Sequence, residues 1–261
     1  MKHCPRPTHE PAALKRFRTE ELPELRRKGL SPGDAWEQFR KTEAFYRDLV
    51  RELARSQHGL CVYCERRVTD KQGKPIKGSC SIEHIVPKSF GLGPTFDWTN
   101  LALACHKAGR KKSDGSCGQT KANSNLPRHC DPHGFAVSPK MVCIGEDGRI
   151  MPDTEGCAHA GIDVASLEDA MNRILNLNSE PLRQARESVL GLAQQEIDAL
   201  LAEFSGEGVS SDEQCEPYFE LMEGYLGPDA SGHLREFWTT LRCVFGSPAE
   251  QWIANNRKVL A

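Results

Sequence analysis

Two cysteine pairs bracket the residues of this chain best suited to do chemistry. Cys61 and Cys64 have two residues between them, and Cys105 and Cys117 form a second pair around His106 to Ser116, an insertion mostly of Lys, Arg, Gly and Ser. A tetrahedral structural zinc takes four thiolate or imidazole ligands, commonly from short turns that bring pairs together. The spacing predicts a Zn2+ site held by Cys61, Cys64, Cys105 and Cys117, with His106 competing for the fourth place. Between the pairs lies Ser81-Ile82-Glu83-His84-Ile85-Val86-Pro87-Lys88. Glu83 is a hard oxygen donor suited to Mg2+ or Mn2+, and His84 titrates near neutral pH and can take a proton from water. A lone histidine beside a strand is more often structural than catalytic; Glu83 beside it and Asn100 downstream give it a chemical reading. Asn100 can fix a ring or a backbone segment by hydrogen bonds.

Short elements must hold these groups. Ser81 to Val86 reads as a strand stopped by Pro87, Thr99 to Ala104 as a second strand, and Gly118 to Ser124 as one or two helical turns. Upstream, Ser31 caps a single helix with Pro32 at its first position, whose apolar stripe from Trp36 to Leu53 runs to about Arg55 or Ser56 and leads into Cys61. Its aromatic residues are expected in the core. Met1 to Ala12, with three prolines, is expected as an extended arm. The chain divides into that arm and helices (1–57), a site region (58–127), an irregular Gly/Pro-rich segment (128–162) and an acidic helical region (163–261). The irregular segment is expected to hold a hairpin at Glu146 to Arg149 and a weaker metal candidate in Cys130, His133, Cys143, Cys157 and His159. Ser179-Glu180-Pro181 opens a long helix, and Ser247 with Glu250 forms a capping box.

The 261 residues, 38% hydrophobic, suffice for a buried core. No apolar run reaches membrane-span length and no leader pattern opens the chain, so a cytoplasmic address and no membrane contact are expected. Eleven cysteines, an odd number, argue for reduced thiols and not for a disulfide framework. A net charge of -2 conceals an asymmetry: residues 1–145 carry 26 Lys+Arg against 15 Asp+Glu, and residues 146–261 carry 8 against 21. The basic front part suits a polyanion.

As a set, these residues resemble the HNH, or ββα-metal, endonuclease superfamily, and within it the HNH endonucleases of retron and Septu-type antiphage systems. The matching residues are Cys61-Val62-Tyr63-Cys64-Glu65-Arg66-Arg67, Glu83-His84 with Pro87-Lys88, Phe96 to Leu101 with Leu103 and Cys105, and Cys117-Gly118 with Lys121, Asn123 and Leu126-Pro127. Asp147 to Ile150 with Pro152, and Ile174 to Asn178, extend the likeness over about residues 40 to 204. It implies an α+β fold, with a small zinc-bound ββα-metal HNH core embedded between helical N- and C-terminal regions. His84 would activate water, Glu83 would hold a catalytic Mg2+ or Mn2+, and Asn100 would orient the His84 segment. Lys121, with Lys107, Arg110, Lys111 and Lys112, would contact DNA phosphates. The likeness also implies antiphage defence beside an ATPase partner, which could bring the nuclease into an oligomer; the acidic helices would offer either a docking surface or an internal bundle. Gly118 stands where many such sequences place an Asn or His ligand, which leaves Asn123, or else His106 or His129, to complete the catalytic ion. Adjacent Glu83 and His84 would leave opposite faces of a regular strand, so a distorted strand or a bridging water is expected. The alternative, from another class, is a catalytically inert zinc-ribbon nucleic-acid-binding module.

Overall fold

The computed structural model describes residues 1–70, 72–76, 78–106, 115–203 and 211–260. Helices and two small antiparallel sheets make it an α+β protein. The chain begins with helices α1 (Ala12–Glu20), α2 (Leu22–Arg27), α3 (Pro32–Lys41) and α4 (Glu43–Ser56). Ser31 Oγ accepts the Asp34 amide at 3.2 Å and Pro32 takes the first position, so α3 starts where its signal lies, but the one expected helix is broken into α3 and α4 at Thr42, whose ψ of 79° is not helical. Phe17 of α1, Trp36 and Phe39 of α3, and Phe96 form one buried aromatic group with ring centroids 5.1 to 6.3 Å apart. Leu49, Val50, Leu53 and Ala54 carry the buried stripe along α4. The expected arm is extended but packed: Met1 and Cys4 are each 2% exposed, and the Cys4 amide donates to Pro132 O at 3.0 Å.

Strand β1 (Cys80–His84) leads through α5 (Leu92–Thr95) to β2 (Leu101–Cys105), and α6 (Gly118–Lys121) follows. The strands pair antiparallel, with Glu83 opposite Ala102 and His84 opposite Leu101. Both strands lie within two residues of their expected positions, and the short helix starts at Gly118 as expected but ends three residues earlier than Ser124. Gln57, 2% exposed, ties the end of α4 to this sheet: its amide nitrogen donates to Leu60 O and Leu103 O, and its oxygen accepts from Leu103 N at 2.6 Å.

Further along come β3 (Val142–Ile144), β4 (Ile150–Pro152), α7 (Thr154–Ala160), α8 (Val164–Asp169), α9 (Glu180–Glu203), α10 (Ser211–Leu226), α11 (Trp238–Asn255) and α12 (Arg257–Leu260). The hairpin β3–β4 turns at the expected Gly148, whose φ is +71° and where a Cβ would meet Arg183 O of α9 at 2.1 Å. The capping box at Ser247 does not form. Gly246, at φ 56° and ψ -130°, kinks α11, and the Glu250 carboxylate is taken by Arg242 at 2.6 Å.

Hydrophobic burial falls into two groups that cross the expected boundaries. The first runs from Met1 through the sheet to Leu182 and includes Cys130, Phe135, Met141, Ile150 and Cys157 of the segment read as irregular. The second joins α9, α10 and α11 through Ala193, Ile197, Met222, Trp238, Phe245 and Ile253. Leu182 packs into the first group and Ala193 and Ile197 into the second, so the apolar stripe of α9 is spent inside the molecule. No helix among the described residues is long and apolar enough to cross a membrane.

Candidate functional site

The four expected cysteines converge. Cys61 and Cys64 stand on a turn after α4, Cys105 ends β2, and Cys117 immediately precedes α6. The turn is shaped by the Cys61 amide donating to Arg66 O at 2.8 Å, by Glu65 at φ 64°, and by Val62 N donating to Leu103 O at 2.9 Å. The four sulfurs lie within 4.8 Å of one another. Zinc–thiolate bonds of about 2.3 Å give a tetrahedron with edges of about 3.8 Å. Two opposite edges here measure 3.9 Å (Cys61–Cys117) and 3.5 Å (Cys64–Cys105). The set could therefore hold a zinc ion. Burial opposes charge on Cys61, but the thiols of Cys105, Cys117 and Cys64 hold its pKa well below the ordinary value. His106 is not a member of the cluster; its Nδ1 faces Gln119 Nε2 at 3.1 Å. Among the described residues no other His/Cys/Asp/Glu group is close enough to hold an ion, so the second candidate around Cys130 and His133 does not assemble.

Glu83 and His84 diverge, as their places on a paired strand require. β1 stays regular through both, so no distortion reunites them. Glu83 turns towards α6. Its Oε1 lies 2.9 Å from Lys121 Nζ and accepts the Tyr63 hydroxyl at 3.3 Å. Burial raises the Glu83 carboxyl above its ordinary value, and the Lys121 charge opposes the rise. The other oxygen, Oε2, borders Gly118, where a Cβ would approach it to 2.4 Å. Gly118 is thus a glycine because Glu83 fills the space a side chain would need.

His84 turns towards α3. Its ring meets Trp36 edge-on, centroids 4.5 Å apart, and Nε2 lies 3.1 Å from Thr95 O. A carbonyl only accepts, so Nε2 carries the proton and Nδ1 keeps the basic lone pair. At 6% exposure, burial and then the Lys88 charge bring the His84 pKa down to about 3, so the ring is neutral in the free protein and, contrary to the expectation, does not titrate near neutral pH. Asn100 sits across from the end of β1. Its Oδ1 accepts the Val86 amide at 2.7 Å, and its Nδ2 donates to Val86 O at 2.9 Å and to Pro94 O at 2.8 Å. With Ile85 N donating to Asn100 O at 3.1 Å, this residue bends the chain out of β1 two residues before Pro87.

Other expected site residues fall elsewhere. Lys121 is not a surface phosphate contact: it is 0% exposed, and its ammonium also donates to His84 O at 2.9 Å. Asn123 lies beyond α6 in an exposed turn and shares no hydrogen bond with Glu83. His129 is likewise exposed. Lys107, Arg110, Lys111 and Lys112 lie outside the described residues. Trp36 and Thr95, which hold the His84 ring, and Tyr63, which touches Glu83, were not among the expected site residues. Tyr63 stood inside the Cys61–Cys64 turn, and the four-residue spacing of Cys117 and Lys121 was the signal that Lys121 shares the inward face of α6. No protein-family model matches this chain, and no curated protein matches it.

Proposed function

We propose that the chain is a metal-dependent endonuclease of the HNH, ββα-metal kind, hydrolysing phosphodiester bonds of nucleic acid, most suitably DNA. The observation that carries this reading is the His84 ring: Nε2 is committed to Thr95 O, so Nδ1 is the atom left to accept a proton. Asn100 holds the bend behind it, while Glu83, adjacent in sequence, leaves the other face of β1 towards Lys121. In the proposed reaction Nδ1 takes a proton from water as the water oxygen forms a bond to phosphorus. The phosphorus–oxygen bond opposite then breaks, and solvent protonates the leaving oxygen. A bound Mg2+ or Mn2+ would supply charge stabilisation of the phosphate and the leaving oxygen. Glu83 Oε2 suits one place on such an ion, because Gly118 contributes no side chain there. Mg2+ is commonly held by one or two carboxylates, with water and substrate phosphates in the remaining places. Zinc at the four cysteines would fold the site and take no part in the chemistry.

Arg40, Arg47, Arg51 and Lys74 line a cleft of about 500 Å³ with Tyr46 and Cys80, at the start of β1. Arg40 and Arg51 are already paired with Glu37 and Asp48, and Glu43 also lines the cleft, so Arg47 and Lys74 are the cations it would offer to phosphate. The residue pattern shared with retron and Septu-type nucleases supports a role in antiphage defence beside an ATPase partner. Such a partner would meet the charged outer face of α9, at Glu187, Glu196 and Asp198, and not its buried stripe. The rival reading, an inert zinc-ribbon module that binds nucleic acid, draws on the burial of His84. Plasmid cleavage in Mg2+ or Mn2+ by wild type and His84→Ala separates the two. Loss of cleavage with zinc content and fold retained is expected, and unchanged cleavage would sink the catalytic reading.

A further inference from the structure

We infer, resting on the nuclease reading above, that the catalytic divalent ion is not resident in the free protein but enters together with the nucleic-acid phosphate, because Lys121 already neutralises Glu83, the carboxylate that reading offers to the ion. The Lys121 ammonium, 0% exposed, lies 2.9 Å from Glu83 Oε1 and 2.9 Å from His84 O. One oxygen of Glu83 is thereby committed, also to the Tyr63 hydroxyl, and Oε2 alone remains. Among the described residues no second carboxylate or histidine stands close enough to join Glu83 in a three-ligand set. Gly118 offers no side chain, and adding one would collide with Oε2.

Ligand charge count sets the affinity of oxygen sites for divalent cations. Glu83 with Lys121 sums to zero charge, so a divalent ion arriving alone meets repulsion from the ammonium and no net attraction from the pair. A phosphodiester brings one negative charge and further oxygens. Ion and phosphate therefore assemble the site together, and each raises the affinity for the other. Lys121 acts as a positioning residue: its two bonds tie the Glu83 side chain and the His84 backbone to α6 whether or not an ion is present.

Electron paramagnetic resonance of Mn2+ tests this. Zinc-loaded His84→Ala protein, used so that substrate persists, is titrated with Mn2+ alone and with a DNA duplex, after subtraction of the duplex by itself. Zinc stays at the thiolates because Mn2+ is the weakest competitor of the divalent series there. Duplex-dependent Mn2+ binding that disappears in Glu83→Gln is expected. Binding to the protein alone as tight as with duplex overturns the inference while leaving the nuclease reading intact. Protein-dependent binding in neither condition overturns the nuclease reading itself. Lys121→Met, with zinc content and circular dichroism as fold controls, is expected to bind Mn2+ without duplex at least about tenfold more tightly than its parent. An unchanged affinity in a folded Lys121→Met counts against the charge argument, and the parent titration stands if that variant fails to fold.

Discussion

Asn100→Asp distinguishes a backbone clamp from a metal ligand. The side chain is 8% exposed and makes three bonds, all to backbone: one accepted from Val86 N and two donated, to Val86 O and Pro94 O. Removing it in Asn100→Ala leaves three polar groups without their partner, and at about 1 kcal/mol each the loss is about 3 kcal/mol. For a chain of this size that corresponds to a fall in the unfolding midpoint of roughly 6 to 12 °C. Asn100→Asp keeps the shape and the bond from Val86 N, but turns a carboxylate oxygen towards two carbonyl oxygens. Aspartate is therefore expected to be at least as damaging as alanine, both in thermal unfolding and in plasmid cleavage. A ligand role makes the opposite demand, since an added negative charge would tighten the ion. Asn100→Asp with wild-type stability, or with cleavage and Mn2+ affinity raised, would refute the clamp.

Three further outcomes are expected. Cys117→Ser should lower bound zinc below one ion per chain by metal analysis and broaden thermal unfolding, because metal binding to such sites is folding free energy; full zinc occupancy would count against the four-sulfur set. Gly118→Ala should force Glu83 Oε2 to move and reduce cleavage about a hundredfold while changing the unfolding midpoint little; cleavage at the wild-type rate would remove Glu83 from the site. His3 and His133, whose Nδ1 atoms lie 2.6 Å from Phe135 O and 2.8 Å from Cys4 O, are held below the usual 6.5 chiefly by burial. The native state then binds fewer protons than the unfolded chain, so their contribution is complete above about pH 6.5 and is lost as pH falls below it. Midpoints measured between about pH 7.5 and 5.5 should fall more steeply in wild type than in His3→Gln/His133→Gln, and equal slopes would contradict the assignment.

What the sequence disclosed, and what it withheld, follows from the range of each interaction. The cysteine quartet was legible because a tetrahedral ion constrains residue type and spacing together, and the order strand, strand, short helix because Pro87 and the alternation around Ile82 are local signals. Asn100 was legible in kind, as a hydrogen-bonding fixture, though not in its three partners. Lys121 was misread because a lysine in a basic stretch is ordinarily solvated, and only the fold reveals that Glu83 waits beneath α6. The packing of the extended arm was not legible for a similar reason: prolines report its backbone, but not that Met1 N lies 3.2 Å from Glu65, a carboxylate that also accepts from Thr239 N at 2.7 Å. Contacts between Met1, Glu65 and Thr239 have no periodicity that a linear pattern could register.

The cysteine quartet has a kinetic consequence as well. Its ligands come from three separated stretches, and one of them, Cys105, is the last residue of β2, paired with Cys80. Shifting β1 against β2 by a single residue would turn Cys105 to the other face of the sheet and leave the ion with three sulfurs. Capture of an ion by all four sulfurs would therefore favour the native strand register over slipped pairings. Chains made in the absence of zinc should accordingly accumulate as misregistered hairpins that recover on later addition of the metal.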